Sequence, residues 1–295
     1  MKLETPIGIL VRRKGALGDV IISTGVVREL KNTYGENCVI DVLTEYPQVY
    51  NNNPHVRNVI RDTGETDVSL YDVVYNLDDT YEYNPGVHFV DNYFYRVFGT
   101  TDRDKSMELF INDAQAADVD TLIAEIGGPF VVIHMRRWHW ELKNIAVEIW
   151  IDIINQLLAH DATTKIVCTG GPTDYYPEGN PRVIDARGLD AGATCYLMDH
   201  AKCFVGIDSA PFHIAGASET HIVALLSHMY PDRVLPFRNG ELGHNCTVIQ
   251  AEVACVGCHA RQQRPVRQIV CERDDYACNK RWNTTTVANA VIKQL

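Results

Sequence analysis

The sequence predicts an α/β protein made of two successive doubly wound halves, and three observations predict it. Continuous apolar runs of strand length alternate with segments of helical spacing, the pattern of parallel βαβ units. Gly127-Gly128-Pro129 breaks that alternation near mid-chain, and a second series starts at Phe130. The 295 residues are long for one domain and comfortable for two, and a hydrophobic content of 46% is enough for two cores. The expected division is 1–127 and 128–295, with the last helix free to pack back on the first half.

Ile7–Val11 reads as the first strand. Leu17, Val20, Ile21, Thr24, Val27 and Leu30 follow at helical spacing. Cys38–Leu43, Val56–Ile60 and Tyr71–Leu77 read as strands, the last ending in Asp78-Asp79. His88–Phe98 reads as an aromatic helix and Val119–Ile126 as a short one. The second series runs Phe130–Ile133 (strand), Ile145–Leu158 (amphipathic helix), Lys165–Cys168 (strand, stopped by Gly170-Gly171-Pro172) and Val183–Asp185 (strand). Cys195–Ala201 (helix), Cys203–Ile207 and Ile222–Leu226 (strands) and Val287–Leu295 (helix) complete it. In such sheets ligands bind beyond the carboxyl ends of the strands, so two facing halves imply a cleft.

The net charge of −11 argues against broad affinity for nucleic acid or anionic membranes. Local basic clusters at Arg12-Arg13-Lys14, Arg136-Arg137 and Arg261 to Arg267 suit phosphate groups. No apolar run approaches the roughly 18–20 residues of a membrane span. Met1 to Pro6 lacks the apolar stretch of a secretory signal. A cytoplasmic protein is therefore expected.

Two stretches carry the chemistry. In the turn after the first strand, Gly15 and Gly18 let a ligand approach the backbone beside Lys14, which makes all three candidate ligand contacts. Asp19 follows at the start of a helix, where negative charge is favoured; it is either a cap or a proton acceptor. The turn is neither a GxGxxG fingerprint nor a Walker A loop. The second stretch runs from Gly206 to Ala217. There a strand enters Asp208 and Ser209, Pro211 suits a first helical turn, and small residues permit close approach. Amides at that helix start would suit a diphosphate. A capped helix with His213 in the core is the structural alternative.

These two stretches resemble the heptosyltransferases, the ADP-heptose:lipopolysaccharide transferases of glycosyltransferase family 9. The family's (R/K)-x-x-x-G-D-(V/I) is matched within Arg13 to Val20. Its D-(S/T)-x-x-x-H-x-A-A is matched by Asp208, Ser209, His213 and Ala215, with Gly216 in place of the last alanine. Lys143 and Trp150 partly match a K-x-W-P-x-E-x-(W/F) element, but Ile145 and Ala146 stand where Trp-Pro would be. The resemblance implies a GT-B fold, two Rossmann-like domains facing across a cleft, and inverting transfer from a nucleotide-diphosphate sugar. It implies Asp19 as general base, which requires an ionised carboxylate within reach of the acceptor hydroxyl. Asp208, Ser209, Ala210 and His213 would line the donor pocket. Lys143, with Arg136 or Arg137, would offset charge on the leaving diphosphate. No catalytic cofactor is implied.

Gly170 and Gly171 follow a strand and would approach the donor, with Glu178 beyond them placed for a ribose hydroxyl or simply in a turn. Five of the nine cysteines sit singly in or beside apolar runs and read as small buried hydrophobes. Cys255, Cys258, Cys271 and Cys278 fall within 24 residues and suit a structural zinc site, disulfides or free thiols. Tyr81, Tyr83, Tyr93 and Tyr95 would stack on sugars or bases, or pack on their sheet. The acceptor is expected to be a glycan or lipopolysaccharide-type molecule. Modified DNA with a hydroxymethylated base is the alternative. A nucleotide-sugar epimerase and a non-catalytic binding module are further readings of the same fold.

Overall fold

The computed structural model describes residues 6–295 apart from 85, 138–139, 263 and 265–267. Strands β1 (Ile7–Arg12), β2 (Cys38–Thr44), β3 (Asn58–Arg61) and β4 (Val73–Asn76) form a parallel sheet in the order β3-β2-β1-β4. Between β1 and β2 lie α1 (Leu17–Ile22) and α2 (Thr24–Tyr34). A single helix was expected there. It breaks at Ser23, whose hydroxyl bonds back to the Val20 carbonyl at 2.6 Å and meets Tyr50 Oη at 2.7 Å. Such back-bonding competes with the helical ladder. After β4 come α3 (Phe89–Phe98) and α4 (Asp113–Ile126). Helix α4 begins six residues before the expected start, because Asn112 and Gln115 form a reciprocal capping box. It ends on Gly127 in the left-handed conformation.

The second sheet is built from β5 (Phe130–Ile133), β6 (Lys165–Cys168), β7 (Val183–Asp185), β8 (Cys203–Ile207), β9 (His221–Leu226) and β12 (Cys246–Gln250). It is wholly parallel, in the order β12-β9-β8-β5-β6-β7. A small hairpin of β10 (Phe237–Arg238) and β11 (Glu241–Leu242) precedes β12. Strand β12 had no counterpart in the sequence reading; it is an edge strand that is nowhere fully buried, so its pattern is half polar. The helices are α5 (Val147–His160), α6 (Ala191–Asp199), α7 (Ala210–Ala217), α8 (Pro231–Val234), α9 (Cys258–Gln262) and α10 (Thr284–Ile292). Helix α6 starts at 191, not 195, because Asp190 caps it through the Ala193 amide. No helix among the described residues is long and apolar enough to cross a membrane.

Helix α10 does not return to the first half. It packs on α5, where Thr284 Oγ1 donates to Asp152 and accepts from Gln156. Val287 and Val291 join Trp150, Ile153 and Leu157 in the apolar cluster on that face of the second sheet. The larger cluster is shared by both halves and runs from Ile9 and Val11 through Val20 and Ile21 to Phe204 and Phe212. Helices α1 and α7 meet in this seam. Gly18 is required there, since a Cβ would lie 2.8 Å from His213 Cδ2.

Each sheet has one point where strand order reverses: between β1 and β4 in the first, and between β5 and β8 in the second. The turns leaving these four strands therefore define where a ligand binds.

Candidate active site

One cleft joins the two switch points. From the first half it is lined by Gly15, Ala16, Gly18, Asp19, Tyr81, Glu82 and Phe89. From the second it is lined by Arg136, Trp140, Lys143, Asp208, Ser209, Ala210 and His213, with His228, Met229 and His259 behind them.

On the first wall, Asp19 is fixed by three donors. Arg13 Nη2 reaches Oδ2 at 2.7 Å, the Ala16 amide reaches Oδ2 at 2.8 Å, and Tyr81 Oη reaches Oδ1 at 2.8 Å. A carboxylate has about four lone-pair sites, so one remains open to a ligand. The same Arg13 nitrogen also donates to Glu82 Oε1 at 2.7 Å, and Arg13 Nη1 donates to the Leu77 carbonyl. Arg13 is only 2% exposed, between the Tyr81 and Tyr93 rings. Burial works against its charge, but Tyr93, Asp19, Tyr81 and Glu82 more than offset this and raise its pKa. Burial pushes the Glu82 carboxyl up against the pull of Arg13.

This corrects the reading of Arg12-Arg13-Lys14 as a phosphate cluster. Arg13 is committed to Asp19 and Glu82, Arg12 pairs with Asp62 and Asp78, and the exposed Lys14 ammonium turns to Glu45. Gly15 and Gly18 do reach the cleft. Of the four tyrosines, Tyr81 and Tyr93 are buried, whereas Tyr83 and Tyr95 are exposed.

On the second wall, Asp208 ends β8 and is buried. Its Oδ2 accepts from Lys143 Nζ at 2.6 Å, and His213 and His228 each stand 3.5 Å from the carboxylate. Burial alone would push this carboxyl up; Lys143 and the two imidazoles outweigh it and hold it well below the usual carboxylate range. Burial keeps His228 below the ordinary histidine value. His134, just beyond β5, links Ser209 Oγ (3.0 Å from Nδ1) to Asp174 Oδ2 (3.0 Å from Nε2). An ionised Asp174 only accepts, so Nε2 carries the proton toward it, while the Ser209 hydroxyl also donates to the Ile207 carbonyl at 2.9 Å. Burial lowers His134, in keeping with a neutral ring.

Gly170, Gly171 and Glu178 are not among the cleft-lining residues. The turn folds Asp174 back under Gly171, whose amide it accepts at 2.8 Å, so Asp174 and His134 fill the space beside Gly170. Glu178 is exposed. Arg136 lines the cleft; Arg137 does not, and its amide donates to Asp174. Arg261 pairs with Glu272, and Arg267 lies outside the described residues.

Cys255, Cys258, Cys271 and Cys278 line one small cavity beside Leu142 and Ser227, and all nine cysteines are unpaired thiols. Four thiols facing one cavity are the donor set of a tetrahedral ion. The set is open in this structure: among the described residues no three metal-type side chains stand close enough to hold one.

Residues 188–266 match the family model described as glycosyltransferase family 9 (heptosyltransferase). No curated protein matches the sequence significantly. Among solved structures, the chain is similar to a family 9 glycosyl transferase from Veillonella parvula, at 16% identity and a TM-score of 0.75, covering 100% of this chain and 99% of that one. It is similar to E. coli ADP-heptose lps heptosyltransferase II at 16% identity and a TM-score of 0.68, covering 98% and 99%. It is also similar to the iron-containing dodecameric glycosyltransferase TibC from enterotoxigenic E. coli, at 16% identity and a TM-score of 0.70, covering 100% and 77%. Identities this low speak to the fold, which is the GT-B arrangement of two facing parallel sheets. The chain thus has the GT-B fold over its whole length, and within its second half residues 188–266 resemble the heptosyltransferases of glycosyltransferase family 9.

Proposed function

We propose that the protein moves a sugar from a nucleoside-diphosphate donor to a glycan hydroxyl with inversion, using Asp19 as the general base. The observation that carries this reading is the pairing of walls. Asp19 faces the cleft from the first half with one lone-pair site open, and Lys143, Asp208, Ser209 and His213 face it from the second. An acceptor bound by residues 1–127 would lose its hydroxyl proton to Asp19 as its oxygen attacks the anomeric carbon. The diphosphate would leave on the opposite face, toward residues 128–295. Lys143 and Arg136 supply positive charge there, in a partly desolvated site where such charge stabilises a leaving anion strongly. Asp208 anchors Lys143, and Ser209 and Ala210 begin α7 at the cleft edge. A balance of −11 favours a glycan over modified DNA as acceptor. Nine unpaired thiols suit a reducing compartment such as the cytoplasm.

The four clustered cysteines belong to this reading as a structural element only. A zinc or iron ion on them would brace the loop that ends β12, with no part in transfer. Metal analysis of the purified protein, with Cys258→Ser beside it, tests this. Stoichiometric metal lost in the variant is the expected result; metal-free protein of full stability would end the idea.

The reading as a whole is tested by a thermal-shift screen. A ligand that binds only the folded state raises the melting temperature. ADP-glucose, ADP-heptose, GDP-mannose, UDP-glucose and dTDP-rhamnose are compared with their bare diphosphates. If none shifts the melt, the donor assignment is wrong. If Asp19→Ala leaves turnover unchanged, the base assignment is wrong.

A further inference from the structure

His259 is a buried imidazole left unsatisfied. It is 1% exposed, and among the described residues neither Nδ1 nor Nε2 has a hydrogen-bond partner. Leaving a buried polar group unsatisfied is costly, and native structures do so rarely, so each case calls for an explanation. Its backbone is firmly placed, with the amide donating to the His228 carbonyl at 3.0 Å. Its ring lies edge-on to Phe89 of the first half, 6.5 Å between centroids. The neighbouring Cys258 lines the thiol cavity, whereas His259 lines the cleft. The cysteine-rich loop therefore delivers one polar side chain to the boundary between the two walls, close to Lys143, His228 and Asp208.

We infer that His259 is a substrate-contacting residue whose two ring nitrogens hydrogen-bond hydroxyls of the sugar being transferred. This rests on the donor reading given above. The diphosphate already has Lys143 and Arg136 at hand; a neutral imidazole adds little to them. A neutral imidazole offers one donor and one acceptor on opposite edges of the ring. Sugar hydroxyls both give and accept, so a polyol satisfies both edges at once. A site that hydrogen-bonds substrate hydroxyls also rejects analogues lacking them, because its own polar groups are then left unpaired. His259 is thus a determinant of which sugar is carried.

Calorimetric titration of wild type, His259→Leu and His259→Asn tests this, using the nucleotide sugar with the largest thermal shift in the panel and its bare diphosphate. Leucine nearly matches histidine in volume and removes both polar edges; asparagine restores a donor and an acceptor. His259→Leu is expected to bind the diphosphate within about twofold of wild type and the nucleotide sugar about tenfold more weakly, the loss of two neutral hydrogen bonds. His259→Asn should recover part of that difference. The ligand-free His259→Leu protein should melt no lower than wild type, because an unsatisfied polar group has been removed. Equal weakening for both ligands, weakening for neither, or a lowered melt with unaltered binding would overturn the inference and leave the donor reading standing. A wild type that binds no nucleotide sugar of the panel refutes both.

Discussion

Arg13→Met is the most informative single change to the first wall. It removes a guanidinium whose Nη2 lies 2.7 Å from both Asp19 and Glu82, while keeping most of the apolar bulk between Tyr81 and Tyr93. The side chains of Asp19 and Glu82 are 15% and 13% exposed, so both carboxylates would stay largely desolvated without their cation. Breaking a buried pair by removing one partner costs roughly 3–5 kcal/mol, and two carboxylates at a cleft edge belong at the low end, about 3 kcal/mol. That is a little over a hundredfold in the folded-to-unfolded ratio, since ~1.4 kcal/mol is tenfold.

The deficit has a definite pH sign. Burial already holds the Glu82 carboxyl above its ordinary value, and losing Arg13 leaves burial less opposed. A carboxyl whose folded pKa exceeds the unfolded value of about 4.3 favours the folded state below that value and disfavours it as pH rises through the folded pKa. The variant should therefore be closest to wild type near pH 4 and fall progressively behind toward pH 8. Urea denaturation of both proteins across that range reads the difference directly. A variant as stable as wild type at pH 8, or a deficit that does not change with pH, would refute the assignment of Arg13 as the shared counter-charge.

Asp19→Asn should lower the transfer rate by about 10²–10⁴, the usual range for a general base, with donor affinity preserved; a matching loss of donor binding in calorimetry would contradict it. Lys143→Met leaves the buried Asp208 carboxylate without its nearest cation, so a stability loss of roughly 3 kcal/mol is expected, and an unchanged melt would exclude the ion pair. Gly18→Ala should cost about 1–3 kcal/mol by forcing α1 from α7. His213→Ala in the same chain should restore much of that, and purely additive effects in the double-mutant cycle would show that the contact is not made.

Much of the fold was legible because buried parallel strands are continuous apolar runs. Ile7–Arg12, Phe130–Ile133 and Cys203–Ile207 stand out for that reason, and β12 does not, being an edge strand with a half-polar pattern. Asp19 and Asp208 were legible as cleft-lining residues because each sits in a short stretch of small residues at a strand-to-helix turn, while their roles came only from the family resemblance. Tyr81 and Glu82 carried no such mark, since they lie in a polar tyrosine-rich segment. Only the pairing of β1 with β4 brings them to Asp19. The turn after β4 borders a switch point, and that rule applied to the expected strands would have pointed to them. His134 would have been found the same way, from the adjacency of β5 and β8. Arg13 was misread because three consecutive basic residues do not reveal which one is buried. His228 is an isolated histidine that nothing local distinguishes from a core or surface residue, and His259 is marked only by following Cys258, which points to the cysteine cluster and not to the cleft.

The seam between α1 and α7 limits how the two halves can move. Apolar surface there is continuous between the halves, and Gly18 lies against the His213 ring beside the cleft itself. Swinging the halves apart about a connecting segment would expose that surface to water at roughly 25 cal/mol for every Å² uncovered. Sliding in the plane of the seam uncovers almost none, and packed helices slide by small amounts without changing side-chain rotamers. A ligand would therefore be admitted by movement of the turns at the strand ends. Cross-linking the two halves at the far end of the seam should slow turnover far less than tethering the turn that carries Asp19.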